Sequence, residues 1–119
     1  MIADTTKARG DEGERLAVKY LEEKGMKILE RNFRFDRGEL DIVAEDKGEI
    51  VFVEVKSRRT QAFGAPEEAV TPRKESLLKR TAEGYLLQRG LEQCACRFDV
   101  IAIDWPDGRP EIRHLRKVF

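Results

Sequence analysis

The sequence predicts an α/β fold in which a mixed β-sheet is flanked by helices, with the elements in the order αβββαβ followed by one extra strand. Apolar residues recur at three- and four-residue spacings over residues 7–24 and 72–88, which predicts two helices. Alternating runs separated by short glycine-containing turns predict strands over residues 26–35, 39–45 and 49–58. Two further strands are predicted over residues 97–104 and 110–115. Three antiparallel strands, then a helix and another strand, indicate a mixed sheet with helices packed on it.

The ends of the two helices are marked by residues that favour helix termini. The first helix has a stripe of apolar residues, and Gly25 is a natural stop after it. For the second helix, Thr71 can cap the first turn, Pro72 suits the first helical position and Gly90 ends it.

Size and composition indicate one globular but polar domain over residues 1–119, with residues 1–6 loosely held. Apolar residues make up 40% of the chain and charged residues 39%, and the formal net charge is +0. Overall charge therefore gives no evidence for a nucleic-acid partner. No segment has the apolar length of a membrane span and the N-terminus lacks a secretory signal, so a cytoplasmic protein without a membrane partner is expected.

Cys94 and Cys96 are the only cysteines, and their spacing suits two buried, reduced thiols better than a bridge between them. A zinc site is disfavoured because His114 is the only histidine, which leaves too few ligands of the usual kinds.

The turn at Lys47 and Gly48 sets the register of the central hairpin. If these two residues form the loop, with a positive φ at Gly48, residues pair when their numbers sum to 95. One face then has three apolar pairs, Leu40 with Val55, Ile42 with Val53 and Ala44 with Val51. The other face has Glu39 with Lys56, Asp41 with Glu54 and Val43 with Phe52. A slip by one residue would mix charged and apolar partners, although a bulge at Gly48 would blur the pairing locally.

This register predicts a pair of carboxylates, Asp41 and Glu54, with Lys56 two residues along on the same face. Directly opposed Cβ atoms lie about 4.5–5.5 Å apart, and like charges at that distance destabilise a sheet unless a cation lies between them. Hard oxygen ligands suit Mg²⁺ or Mn²⁺, so Asp41 and Glu54 are candidate metal ligands. A nearby lysine could position an attacking water or offset developing charge, which makes Lys56 the candidate catalytic lysine.

The alternative is a solvated strand face joined by ion pairs from Lys56 to Glu39 and Glu54. The apolar neighbours Val43, Ile50 and Phe52 count against it, because they indicate that this face is partly covered.

Two further features accompany the carboxylate pair. Glu14 lies at the head of the apolar stripe of the first helix and can point towards the hairpin acids, or it can serve only to stabilise the helix N-terminus. Gly10 and Gly13 beside it would permit a close approach of backbone or phosphate. Residues 56–80 contain seven basic and three acidic side chains, a net charge of +4. Within them lie four candidate phosphate contacts, with an ordinary solvated surface as the alternative: Arg58, Arg59, Arg73 and Lys74.

With these residues in place, the sequence resembles the YraN family of bacterial proteins and, more distantly, the archaeal Holliday-junction resolvases of the PD-(D/E)XK nuclease superfamily. The resemblance runs over almost the whole chain. Its main carriers are Gly10-x-x-Gly13-Glu14-x-x-Ala17, Gly38-Glu39-Leu40-Asp41 and Phe52-Val53-Glu54-Val55-Lys56-Ser57-Arg58, with Phe63-Gly64-x-Pro66, Lys74 and Arg97-Phe98-Asp99-Val100 in addition.

The resemblance implies a restriction-endonuclease-like core. In it Asp41 and Glu54 would be metal ligands, Lys56 the catalytic lysine and Glu14 an additional acid from a helix. Leu40 stands where the superfamily's name has a proline, and no element for sequence recognition is evident.

Three hypotheses follow for the function. The first is hydrolysis of phosphodiesters in DNA, at branched or damaged structures, with Mg²⁺ or Mn²⁺; cutting two strands needs two sites, so a homodimer is expected from geometry and resemblance. The second is a non-catalytic nucleic-acid-binding or assembly module that keeps the fold. The third is an enzyme acting on a nucleotide, which the absence of a Walker-type glycine-rich loop disfavours.

Overall fold

A computed structural model of the chain describes residues 6–58 and 70–119, with side chains described over residues 11–57 and 70–119. Within these ranges two helices and five strands form in the predicted order: α1 (Thr6–Glu23), β1 (Lys27–Phe35), β2 (Gly38–Asp46), β3 (Glu49–Arg58), α2 (Pro72–Arg89), β4 (Cys96–Asp104) and β5 (Glu111–Leu115). Helix α1 begins at Thr6, and the rest of the N-terminus predicted to be loose lies outside the described residues.

The five strands form one mixed sheet in the order β1-β2-β3-β4-β5. Strands β1, β2 and β3 pair antiparallel, β3 pairs parallel with β4, and β5 pairs antiparallel with β4. A parallel pair needs a long crossover between its strands, and α2 lies within the crossover from β3 to β4. The predicted mixed α/β fold is confirmed, and its order of elements is the one that the resemblance implied.

The sheet is buried on both faces, and each face packs against one helix. The cluster under α1 includes Leu21, Ile42 and Ile101, which are fully buried. The cluster under α2 includes Phe52 and Tyr85, which are 1% and 2% exposed. Because both faces of β2 and β3 are covered, a charged side chain on these strands loses most of its water unless it lies near a strand end.

Turns and helix ends form where the sequence predicts them. Lys47 and Gly48 have φ of 53° and 89°, the two positive values of a two-residue hairpin turn whose twist matches the strands. At the start of α2, the Thr71 hydroxyl accepts a hydrogen bond from the backbone N–H of Lys74. At its end, Gly90 takes a left-handed conformation with φ of 67°. These signals fix where α2 begins relative to the sheet.

Helix α2 packs unusually close to β1 and β2 at two glycines. A Cβ atom on Gly38 would lie on the hydroxyl of Thr81, and a Cβ atom on Gly84 would lie 2.6 Å from the ring of Phe35. The helix therefore rests directly against the turn between β1 and β2.

Replacing Gly84 by alanine is expected to destabilise the protein by about 1–3 kcal/mol, because the added methyl group overpacks the contact with Phe35. The clash outweighs the higher helix propensity of alanine, which is worth about 1 kcal/mol in the other direction. Urea unfolding measures the change, with exposed Glu83→Ala on the same helix as the control. A Gly84→Ala protein as stable as wild type would contradict the close approach.

Two further expectations concern thiols and membranes. Cys94 is half-buried but Cys96 is exposed, so the prediction of two buried cysteines is wrong for Cys96, which lies at the first position of β4. Among the residues described, neither helix combines the length and the hydropathy that crossing a membrane requires.

Candidate functional site

The candidate site lies where β2 and β3 diverge. The predicted register is confirmed for five pairs, from Asp46 with Glu49 to Ile42 with Val53, and there the pairing ends. Beyond that point β2 continues beside β1, while β3 continues beside β4 as far as Arg58. The predicted pairs of Asp41 with Glu54, Leu40 with Val55 and Glu39 with Lys56 are therefore wrong, because the two strands have begun to separate there.

Leu40 shows the consequence of this divergence for the core. The register predicts Leu40 opposite Val55, on the face that packs against α1. In the structure Leu40 is 2% exposed and belongs to the cluster under α2, together with Phe52 and Leu78. The alternation that holds along the paired part of the hairpin fails at its open end.

Asp41 fills the gap that opens between the strands. Its Oδ2 accepts a hydrogen bond of 2.9 Å from the backbone N–H of Val55, the residue that would have paired with Leu40. Burial, and after it the charge of Glu54, raises the pKa of Asp41 to about 7, against the lowering effect of the Val55 N–H. Glu14 and Glu39 add smaller effects in the same direction. The structure thus brings Asp41 within electrostatic reach of Glu54, as predicted, by a side-chain contact in place of strand pairing.

Glu54 is contacted by two lysines. The Nζ of Lys74 lies 2.6 Å from Glu54 Oε2, and the Nζ of Lys56 lies 3.4 Å from the same oxygen. The Glu54 side chain is only 11% exposed, so these contacts are shielded from bulk water. Burial and the neighbouring Lys74 lower the pKa of Lys56. Burial lowers the pKa of Lys74, but the contacts with Glu54 and Lys56 and the charges of Glu54 and Asp41 together outweigh it, and the pKa is raised.

Lys74 lies deeper than a position at the rim. Its ammonium group reaches inward from the first turn of α2 to Glu54, and its role as a phosphate contact stays a prediction. A signal was present: Lys74 lies one helical turn before the buried Leu78, on the side of α2 that faces the sheet.

Glu14 lies near the site but is turned towards another partner. Its Oε1 accepts a hydrogen bond of 3.2 Å from Arg31, and its side chain is 14% exposed. Helix α1 is held close to β3 here, since a Cβ atom on Gly13 would lie 2.9 Å from the Cβ of Ser57. The neighbour at Gly13 is thus a side chain, where the sequence suggested room for backbone or phosphate, and Glu14 lies close enough to raise the pKa of Asp41.

Of the two ion pairs expected for a solvated strand face, only the one between Lys56 and Glu54 forms among the described residues. Lys56 contacts Glu54 as that alternative expects, but Glu39 pairs with Arg34 at 3.4 Å.

Of the other predicted phosphate contacts, Arg73 is exposed and lines an open groove of about 540 Å³ with Lys74 at its inner end. Arg59 and the side chain of Arg58 lie outside the described residues.

The donor set suits a hard divalent ion with few protein ligands. In the described ranges, no three carboxylate, histidine or cysteine side chains are grouped closely enough to hold a metal ion. Asp41 and Glu54 supply two carboxylates, which is the usual number for Mg²⁺ that keeps its remaining sites for water and phosphate. The Lys74 ammonium group lies beside Glu54, at a position that a metal ion could take. Glu14 could become a third ligand only after its ion pair with Arg31 is broken. Asp41 and Glu54 therefore fit a divalent ion that binds two carboxylates and displaces the ammonium group of Lys74.

The raised pKa of Asp41 predicts how stability depends on pH. Folding favours the protonated form, so wild-type stability falls as pH rises from about 4 to about 7. Asp41→Asn mimics the protonated carboxyl and keeps an acceptor for Val55, so it should be more stable than wild type at pH 8 by about 2 kcal/mol and equal to it below pH 4. Thermal unfolding at both pH values, without metal, measures this. Equal stability of the two proteins at pH 8 would show that ionising Asp41 does not destabilise the fold.

A second polar cluster, which the sequence analysis did not identify, is centred on β4 beside β3. Asp99 is fully buried and accepts hydrogen bonds from Arg97 at 3.1 Å and from the backbone N–H of Lys117 at 3.1 Å, and it contacts His114 at 2.7 Å. Arg97 also bonds Asp46 and Glu49 beside the β2–β3 turn. The sequence had two signals: alternation, which places Arg97 and Asp99 on the same face of β4 as Ile101, and the stretch Arg97-Phe98-Asp99-Val100 in the family resemblance.

Comparison with known proteins bears on the chain as a whole. The sequence profile of the uncharacterised protein family UPF0102 matches residues 13–103. The chain belongs to this family. A UPF0102 protein of Trichlorobacter lovleyi is 46% identical over all of this chain and 95% of its own length. One from Syntrophomonas wolfei is 51% identical over 90% of this chain and 93% of its own length.

The UPF0102 match confirms the resemblance to the YraN family, and the matched residues include Glu14, Asp41, Glu54, Lys56 and Lys74. Among solved structures, one described as "The structure of Pyrococcus Furiosus SfsA in complex with Ca2+" aligns with 93% of this chain and spans 63% of that chain. The identity is 15% and the TM-score 0.37, a similarity too low to bear on the function of the UPF0102 chain.

Proposed function

We propose that this UPF0102 chain is a metal-dependent nuclease that hydrolyses phosphodiesters in DNA, with branched or damaged DNA as its substrates. The observation that supports it most is the acid pair at the strand divergence, where burial and the charge of Glu54 raise the pKa of Asp41 to about 7. A half-buried pair of like charges is unfavourable for folding, and such arrangements concentrate at functional sites. Two lysines within reach of Glu54 supply the positive charge that phosphate chemistry needs.

Each residue has a role in this proposal. Asp41 and Glu54 would hold Mg²⁺ or Mn²⁺, which when bound would polarise the phosphodiester and lower the pKa of the attacking water. Lys56, whose pKa is lowered, would position that water and offset charge on the phosphate. The backbone N–H of Val55 holds the Asp41 carboxylate in a fixed orientation. Glu14 would join the metal ligands once released from Arg31.

A non-catalytic nucleic-acid-binding module is the second candidate, and one observation favours it. Glu54 already has two ammonium partners, at 2.6 and 3.4 Å, so part of the acid pair is neutralised without a metal ion. The two candidates share the surface but differ in whether a metal ion takes the place of Lys74.

A cleavage screen separates the two. Wild type and Asp41→Asn are incubated with linear, nicked, flapped and four-way DNA in Mn²⁺, and with matched RNA. A nuclease should cut at least one substrate only with metal present, and Asp41→Asn should not cut it. Binding without cleavage under all conditions would favour the non-catalytic module. For substrates cut on both strands we propose a homodimer, and we propose the cytoplasm as the location, where a bacterial nuclease meets DNA.

A further inference from the structure

An open basic groove runs from the candidate site along α2. It has a volume of about 540 Å³ and lies between α2 and the turn that joins β1 to β2. Within the described ranges seven residues line it, of which four are basic and none is acidic. The lining residues are Arg37, Thr71, Arg73, Lys74, Ser76, Leu77 and Arg80.

The basic side chains of the groove are spaced along one side of the helix. Arg73, Leu77 and Arg80 are separated by four and three residues, so they lie on the same side of α2. From Arg73 to Arg80 the helix rises about 10 Å, at about 1.5 Å per residue. Neighbouring phosphates of one B-form strand lie farther apart than the axial rise of about 3.4 Å per nucleotide, because the strand also winds around the helix axis. The groove therefore matches a short run of regularly spaced negative charges.

The groove connects to the candidate site through Lys74. Its ammonium group contacts Glu54, and the same residue lines the inner end of the groove. A strand lying in the groove would thus place one phosphate next to Glu54 and Lys56.

The arginines are available to a ligand at small cost. Arg80 pairs with Asp36 at 3.5 Å, but both side chains are more than half exposed, and such surface pairs are worth about 0–1 kcal/mol. Arg37 and Arg73 are exposed as well.

The chemistry of the groove favours the nucleic-acid backbone over the bases. Among its lining residues, all within the described ranges, there is no aromatic ring on which a base could stack. Arginine guanidinium groups and hydroxyls are instead the usual partners of phosphate oxygens.

We infer that this groove binds a short run of backbone phosphates of one strand, independently of base sequence, with Arg37 and Arg80 as contacts that the sequence analysis did not identify. The inference rests on the proposed function only for the direction in which the strand runs, towards Glu54. DNA and RNA share the phosphodiester chemistry that the groove would recognise.

The test is binding in EDTA, so that cleavage plays no part. Fluorescence anisotropy follows a labelled 12-nucleotide single strand, as DNA and as RNA, with wild type and with Arg37→Gln, Arg73→Gln and Arg80→Gln. Each variant should bind at least about threefold more weakly at low salt, and its slope of log affinity against log salt should fall by about 0.7. Arg116→Gln, an exposed arginine beyond β5 on the opposite edge of the sheet, should bind as wild type does. Asp36→Asn, which frees Arg80, should bind about twofold more tightly.

The outcomes separate this inference from the proposed function. Wild-type affinity in all three groove variants would overturn the proposal that the groove binds phosphates, even if the protein cuts DNA with Mn²⁺. A dependence on base sequence that survives in all three would overturn it too. Weakened binding in the variants of a protein that cuts nothing would support the groove and contradict the nuclease. Preference for the DNA or the RNA strand identifies which of the two the groove serves.

Discussion

Replacing Lys56 by alanine is expected to lower the rate of Mn²⁺-dependent DNA cleavage by about 10²–10⁴-fold, the range that a positioned proton-transfer group contributes. The Lys56 ammonium lies 3.4 Å from Glu54 and its side chain is 23% exposed, so it can reach a water or phosphate held beside that carboxylate. Burial and Lys74 lower its pKa, which brings proton exchange closer to neutral pH. Cleavage of a fluorescent DNA substrate under single-turnover conditions measures the effect on the chemical step.

Two comparisons make this result specific. Lys19→Ala removes an exposed lysine of α1 and should leave the rate unchanged. The thermal stability of Lys56→Ala should stay close to that of wild type, because Lys74 still neutralises Glu54. A Lys56→Ala protein that cuts as fast as wild type would remove Lys56 from the chemistry.

Replacing Asp99 by alanine is expected to destabilise the fold by about 3–5 kcal/mol, the cost of breaking a buried ion pair by removing one partner. Asp99 is completely buried, while Arg97 and His114, 8% and 5% exposed, would lose the carboxylate between them. The backbone N–H of Lys117 would lose its acceptor as well. For a chain of this size the melting temperature should fall by about 10 °C or more.

Urea unfolding of Asp99→Ala and of Arg34→Gln tests this prediction. Arg34 pairs with Glu39 at the surface, 80% and 40% exposed, so its loss should cost less than about 0.5 kcal/mol. Burial opposes a low pKa for Asp99, but the bonds from His114 and Arg97 outweigh it, and the pKa is lowered. This part of the stability is present above about pH 4 and is lost on acidification below it. An Asp99→Ala protein as stable as Arg34→Gln would contradict the structural role of the cluster.

The order of the elements could be predicted because the signals were local. Glycine at the turns, a threonine cap on α2 and alternation along the strands each depend on neighbouring residues. The hairpin register could be predicted as well, since a slip by one residue would have placed charged side chains among Val51, Val53 and Ile42.

The geometry of the site could not be predicted in full, because it depends on where pairing stops. Local alternation treats β2 and β3 as paired to their ends, whereas they separate after Ile42 and Val53. A side-chain contact from Asp41 to Val55 then replaces the ladder, and Leu40 turns to the other face. The spacing of Lys74 and Leu78 indicates that Lys74 faces the sheet, but the carboxylate that its ammonium group reaches depends on how the helix and the sheet pack.

The buried cluster around Asp99 was missed for a related reason. Arg97 and Asp99 belong to β4, but their partners come from the β2–β3 turn and from β5 and the residues that follow it. Nothing in the sequence near β4 indicates which distant side chains complete a buried charge network.

Binding of Mn²⁺ at pH 8, measured by isothermal titration calorimetry, tests most directly whether Asp41 and Glu54 form a cation site. At this pH the carboxyl of Asp41, whose pKa is raised to about 7, is largely ionised and free to bind a cation. We expect one Mn²⁺ per chain, with affinity at least about tenfold weaker in Asp41→Asn and in Glu54→Gln and unchanged in Glu83→Gln. Absence of binding by wild type, or equal binding by all four proteins, would contradict a metal site at the divergence of β2 and β3.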